Sequence, residues 1–273
     1  MFVASGRQSD NSSVTIEENV TYASVDGSDL RLDIYKPATH NDRRPAVVLI
    51  HGGGWTSFDK STMHGMGQFL ARAGFVGFSV DYRLFQGGEN RWPAQLDDVQ
   101  RAVRWVRANA AKYGVDNGRV GAFGHSAGGQ LAALLGMEDT RDNSDTALAK
   151  YSSRVQAVVD ASGPTDFTID HDQQTDAFFT RFFGGDYSRH ADLWRDASPI
   201  YHVAKGDAPF LIVHGTQDAM VAMSQSEELL RKLQAAGVPA SLVKVNDGHT
   251  FTTPEGRRQL AISAAEFFRQ YLS

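Results

Sequence analysis

The chain has 273 residues, no cysteine, a formal net charge of −5 and a pI near 6.0. That length suits one large α/β domain, and the missing thiols exclude disulfides, thiolate catalysis and thiolate metal sites. A mildly acidic chain without a basic block argues against nucleic acid or anionic membrane as partners and leaves small neutral substrates.

Residues 1–13 lack the apolar core of a signal peptide and read as a flexible tail before a single domain over 14–273. No apolar run approaches the ~20 residues of a membrane helix. The expectation is a cytoplasmic protein, or a secreted one whose leader lies outside this sequence.

Val14–Tyr35 alternates apolar and polar residues around Asp26-Gly27-Ser28-Asp29, the pattern of a hairpin. Ala46–Ile50 is a continuous apolar run, as in a strand buried on both faces of a parallel sheet. It ends in His51-Gly52-Gly53-Gly54-Trp55. A phosphate cradle would need a lysine and Ser/Thr in Walker spacing, which are missing. The other readings are an oxyanion hole, whose N–H groups need an unobstructed approach, and a plain turn.

Met63–Ala73 reads as a helix stopped by Gly74, and Phe75–Tyr82 as a buried strand. Pro93 opens a helix with Leu96, Val99, Val103, Val106 and Ala110 on one face and charges on the other. A strand over 119–123 then meets Gly124-His125-Ser126-Ala127-Gly128, followed by a helical pattern over 130–135. Strand, tight turn and helix with a serine at the apex is the context of a nucleophile elbow, and small residues at 124 and 128 permit the close approach it needs. A serine that merely caps the helix is the alternative.

A polar linker over 138–153 leads to a strand at Val155–Ala161. From about 164 to 207 the strand–helix alternation lapses into an aromatic-rich insertion that includes Phe179, Phe183 and Trp194. It reads either as a helix with a core stripe or as a small cap walling an acyl or aryl pocket. Phe210–Val213 returns as a strand ending in His214-Gly-Thr-Gln-Asp218, and Ser224-Gln-Ser-Glu227 reads as a capping box before a helix over Glu227–Ala236. Ala240–Val245 is the last strand and leads to Asp247-Gly248-His249. A closing helix carries Leu260, Ala264, Phe267, Phe268 and Tyr271 on one face, which either packs in the core or pairs with a second copy in a homodimer.

Alternating strands and helices give a mostly parallel sheet with helices on both faces, and such sheets act at the carboxyl ends of their strands. The triple glycine, Ser126, Asp218 and His249 all follow strands. Ser126 needs a base, which His249 supplies, and the imidazole needs a carboxylate to hold its tautomer, which Asp218 supplies. Asp160 and Asp247 are rival acids. His51 and His214 read as braces for their loops. His171, His190 and His202 lack metal-ligand spacing, so no metal is expected.

The chain order Ser…Asp…His, with His51-Gly-Gly-Gly-Trp55, Val80-Asp-Tyr-Arg83, Gly124-His-Ser-Ala-Gly-Gly129, His214-Gly-Thr-Gln-Asp218 and Gly248-His249, resembles the hormone-sensitive-lipase-like branch of α/β-hydrolases. That branch holds bacterial carboxylesterases, acetyl esterases and feruloyl-esterase-like enzymes, and the resemblance spans about residues 20–270. It implies the α/β-hydrolase fold with a small cap insertion and a cofactor-free serine esterase acting on small-molecule esters with short acyl, acetyl or feruloyl groups. Ser126, Asp218 and His249 take the triad positions, and Gly53, Gly54 and Ala127 the oxyanion hole, with Gly52 able to replace one glycine. Trp55, His125, Phe179, Phe183 and Trp194 are the expected substrate pocket. Two departures stand out: His125 where many relatives have Asp, and Thr250 where many have glycine. A formamidase or amidase of the same fold, and a ligand-binding homologue without turnover, are the competing functions.

Overall fold

The apolar run at Ala46–Ile50 is the body of strand β3 (Arg44–Ile50), and its five residues are fully buried. Successive residues feed opposite cores: Ala46, Val48 and Ile50 join one hydrophobic cluster, Val47 and Leu49 the other. Only a strand apolar on both faces can serve two cores. The computed structural model describes residues 13–38 and 43–273, so nearly all of the expected tail lies outside the described residues.

The strands are β1 (Val14–Val25), β2 (Ser28–Pro37), β3, β4 (Val76–Val80), β5 (Val115–His125), β6 (Ala157–Ala161), β7 (Phe210–Gly215) and β8 (Ala240–Val245). They form one sheet in the order β1-β2-β4-β3-β5-β6-β7-β8. The β1/β2 and β2/β4 pairs are antiparallel, and every pair from β4 to β8 is parallel. Asp26 and Gly27, at φ 50° and 80°, close the first hairpin, as a two-residue turn matched to strand twist requires.

The helices are α1 (His64–Arg72), α2 (Ala94–Ala108), α3 (Ala110–Tyr113), α4 (Ala127–Met137), α5 (Gln173–Phe183), α6 (Tyr187–Asp196), α7 (Met223–Ala235) and α8 (Pro254–Tyr271). Residues of α1 and α8 pack into the core of Val47 and Leu49, and those of the other helices into the opposite core. Among the described residues no helix is long and apolar enough to cross a membrane.

Three details sharpen or correct the sequence reading. The charged face of α2 is not solvated: Arg104 is buried, donating to the Leu148 carbonyl at 3.2 Å and to Asn143 Oδ1 at 2.6 Å, while Arg101 pairs with Asp142 at 2.8 Å. The polar stretch after α4 lies over that face. The Ser224–Glu227 capping box does not form, because α7 starts earlier, after Ala222, and Ser226 is buried against His214. Of the two readings of the closing helix, core packing holds for Phe268, which is fully buried against Phe75 at a 6.1 Å ring separation.

The fold places the site where the chain changes direction. From β3 it crosses to β4 on one side, then returns to place β5 on the other, so β3 and β5 are neighbours with Ile50 opposite Gly124. The loops leaving them diverge to opposite sides of the sheet and leave a crevice. At the far edge β7 and β8 run in register, with Gly215 opposite Val245, so the loops carrying Asp218 and His249 emerge side by side.

Candidate active site

Ser126 sits at φ 55°, ψ −122°, outside the regions an L-residue prefers. Such a conformation costs on the order of 1–3 kcal/mol and persists only where the surroundings impose it. A Cβ at Gly124 would overlap the Gly128 carbonyl, and one at Gly128 would overlap the carbonyls of Ile50 and His51. The Ser126 N–H donates to the Ala161 carbonyl at 2.8 Å, locking the turn to β6. Its hydroxyl makes no capping bond to α4 and lies 2.8 Å from His249 Nε2.

Behind the imidazole, His249 Nδ1 is 2.7 Å from Asp218 Oδ2. A carboxylate only accepts, so Nδ1 carries the hydrogen and Nε2 is free to accept from the serine hydroxyl. The Asp218 side chain is almost fully buried. Burial alone would raise its pKa, but N–H donors from Val221 at 2.9 Å and Met220 at 2.8 Å, together with His249, hold it below the ordinary value. It stays ionised where it faces the imidazole.

Two more histidines brace this pair. His214 Nε2 lies 3.0 Å from the Val221 carbonyl and 3.3 Å from Asp218 Oδ2, so it carries the hydrogen. Its Nδ1 then accepts from Ser226 Oγ at 2.7 Å, and burial keeps the ring's pKa below its ordinary value. His125 Nε2 donates to the backbone carbonyl of His249 at 2.8 Å, its ring 5.2 Å from the His249 ring. Asp247 knits the same loop by accepting from Gly248, Thr252 and Thr253.

Opposite the serine, Gly53 and Gly54 take φ 109° and 57°, and the Gly53 carbonyl is turned away to accept from Thr56 and Ser57. The amides of Gly53, Gly54 and Ala127 have no hydrogen-bond partner among the described residues. His51 is buried and stacks on Tyr82 at 4.2 Å, and the Tyr82 hydroxyl donates to the His51 carbonyl at 3.1 Å. Burial pushes the His51 pKa down to about 4, so the ring is neutral and braces the glycine loop.

A cavity of about 1010 Å³ opens onto Ser126 and His249. Met63, Met66 and Phe69 wall it from the α1 side, Leu260 and Ala261 from α8, with Phe251 also lining it. Phe58 and Met220, 65% and 76% exposed, are lining residues that reach solvent.

The BD-FAE family model matches residues 32–233 of this chain, most of its length. The chain belongs to the BD-FAE family, a carboxylesterase branch of the α/β-hydrolases. Esterase LipC of Mycobacterium tuberculosis is 31% identical over 223 residues, covering 78% of this chain and 55% of that protein. The chain spans about half the length of the curated relatives it matches, 55%, 45% and 51% for the first three. Solved structures match end to end. A truncated carbohydrate esterase from gut microbiota superposes with a TM-score of 0.84 at 31% identity, covering 97% of this chain and 98% of that one. Esterase Est2 of the planctomycete Thermogutta terrifontis gives 0.81 at 28% identity, with 94% and 93% covered. The fold is that of the α/β-hydrolases.

In this BD-FAE member the three residues expected as a triad stand in hydrogen-bond contact. The rival acids stand elsewhere: Asp160 accepts only from the Gly163 N–H at 2.9 Å, and Asp247 serves its own loop. Of the five residues expected to line the pocket, only His125 does so. Trp55 is buried with Phe182 at 5.1 Å and donates to Gln130 at 3.0 Å, while Phe179, Phe183 and Trp194 pack on one another. Their aromatic area is spent on each other, so the open space lies on the α1/α8 side. Sequence reasoning missed Met66 and Phe69, for which the one signal was a second apolar flank on α1 beside its buried Leu70 and Ala71.

Proposed function

We propose that the protein hydrolyses carboxylic esters through an acyl-enzyme. One observation carries the reading: the continuous relay from Asp218 Oδ2 through His249, 2.7 Å on one side, to Ser126 Oγ, 2.8 Å on the other. In it Ser126 attacks the ester carbonyl as its proton passes to His249 Nε2, and the C–O bond to the alcohol breaks as that proton passes to the leaving oxygen. Water, deprotonated by the same nitrogen, then releases the acid and restores the serine. The unpaired amides of Gly53, Gly54 and Ala127 receive the oxyanion, each donor contributing about 3 kcal/mol to the barrier by analogy with measured holes.

The substrates under this reading are esters of short acyl groups, or acetyl and feruloyl groups on sugars or aryl alcohols. Est2, solved with propionate and with butyrate bound, supports the short acyl part, and the gut carbohydrate esterase supports a sugar-linked one. The segment 164–207 acts as a small cap that closes one side of the site and leaves the other open.

Intact-mass spectrometry after treatment with a phosphonylating serine reagent tests the nucleophile; Est2 is phosphonylated by sarin. One adduct and p-nitrophenyl acetate turnover, both lost in Ser126→Ala, are expected. A folded protein that takes no adduct, or a Ser126→Ala variant that still turns the ester over, overturns the reading.

A further inference from the structure

The short acyl group of the proposed substrates leaves most of the large cavity unfilled, and three observations say what fills it. The first is position. The departing alcohol oxygen must face His249 Nε2 to take its proton, and His249, Thr250 and Phe251 all line the cavity. The opposite side is closed by Trp55 and the Phe179–Phe183 cluster, so the alcohol moiety runs into the space between α1 and α8. The second is lining. Met63, Met66, Phe69, Leu260 and Ala261 offer no hydrogen-bonding side chain, which suits an aliphatic chain, while the hydroxyls of Ser57, Thr62 and Thr250 stand elsewhere in the lining.

The third is charge. On a chain of net charge −5, the only Lys, Arg, Asp or Glu side chains lining the cavity among the described residues are Arg257 and Arg258, both exposed on the first turns of α8. Neither makes a salt bridge among the described residues. Glu255 lines a separate surface depression beside Arg258, not the cavity. Two free guanidiniums beside an apolar space match an amphiphile with an anionic end.

We infer that the cavity binds the alcohol part of esters of ω-hydroxy acids: an aliphatic chain along α1 and α8, with a terminal carboxylate at Arg257 and Arg258. The inference rests on Ser126 being the nucleophile. The reaction is ester plus water giving acetate and the ω-hydroxyalkanoate, with no further reactant.

The test compares kcat/KM for 6-acetoxyhexanoate, 8-acetoxyoctanoate and 10-acetoxydecanoate with that for hexyl, octyl and decyl acetate. An apolar site with no cation should reject the carboxylate at every length. The expected result is an anionic-to-neutral ratio above one at the lengths that reach the arginines. That ratio should fall about three- to tenfold in the Arg257→Gln/Arg258→Gln double variant, the size of two exposed ion pairs, and should fall likewise in high salt. Ala261→Phe should lower octyl acetate turnover relative to methyl acetate. Preference for the neutral ester at all three lengths, or a ratio that the double variant does not move, overturns the inference. So does the same charge preference appearing in methyl esters of dicarboxylic acids instead, which would put the acyl part in the cavity. Absence of p-nitrophenyl acetate turnover would be failure of the hydrolase reading itself.

Discussion

Replacing Asp160 by asparagine tests the electrostatics of the sheet and the identity of the catalytic acid together. The carboxyl is wholly buried at the end of β6, and burial, only partly offset by the Gly163 N–H, raises its pKa from the ordinary 3.8 to about 7. Its second oxygen has no partner among the described residues. In the unfolded chain the proton leaves near the ordinary value, so between the two pKa values the folded state holds the extra proton. Stability therefore falls as pH rises through that window, by at most about 4 kcal/mol, and is flat above it. Between pH 5.5 and 8.5 the loss attributable to Asp160 is about 2 kcal/mol, from the part of the window below pH 7. The asparagine side chain keeps the acceptor for Gly163 without the ionisation. Urea unfolding at the two pH values should then show the variant's stability rising relative to wild type by that amount, whatever the fixed cost of its unpaired amide. Esterase turnover at pH 8.5 should persist, since the carboxyl does not touch His249. Equal pH slopes in the two proteins would refute the electrostatic reasoning. A folded variant that has lost turnover by a factor on the order of 10⁴ would make Asp160 the acid of the triad.

Asp218→Asn should keep the fold yet lower kcat by roughly 10³–10⁴, because an amide no longer enforces the Nδ1–H tautomer or balances the imidazolium. Turnover within tenfold of wild type would remove Asp218 from the relay. His51 gives acid lability: burial lowers its pKa from 6.5 to about 4, so the unfolded state takes up the proton first. Stability is complete above 6.5 and lost as pH falls through that window, by about 3 kcal/mol. Denaturant unfolding of His51→Asn at pH 7 and 4.5 should show a flatter dependence, and an unchanged slope would assign the lability to other groups.

The three residues of the proposed relay were legible because parallel sheets bring the loops that follow their strands to one place. Ser126 and Asp218 each follow a run of apolar residues buried in the sheet, His249 follows the half-exposed edge strand β8, and strands pointing the same way bring their loops to one edge. The supporting residues were less visible. His125 was legible as a departure from relatives but not as the donor to the His249 carbonyl, because that contact joins positions 124 apart in the chain. Asp247 was visible only as a rival acid, although its use is to tie Gly248, Thr252 and Thr253 around the histidine. Local patterns misled where a distant group made the better offer: Ser226 is drawn inward by His214 and not to a helix cap, and Arg104 turns to carbonyls some forty residues away instead of to water.

The open space followed a different logic. Sequence patterns report which residues are apolar, and both an aromatic cluster and a pocket wall satisfy that description. What separates them is whether facing side chains fill the gap, and that depends on pairs remote in sequence. Trp55 is met by Phe182 and by Gln130, whose own amide is anchored to the Ala197 carbonyl at 2.8 Å, so the insertion side closes. On the other face α1 and α8 meet the same sheet, but Gly65 and Ala261 line the gap between them with little bulk. Small residues there leave an opening that no single segment encodes. The aromatic richness of 164–207 thus marks the side that is filled, and the plainer helices mark the side where the cavity opens.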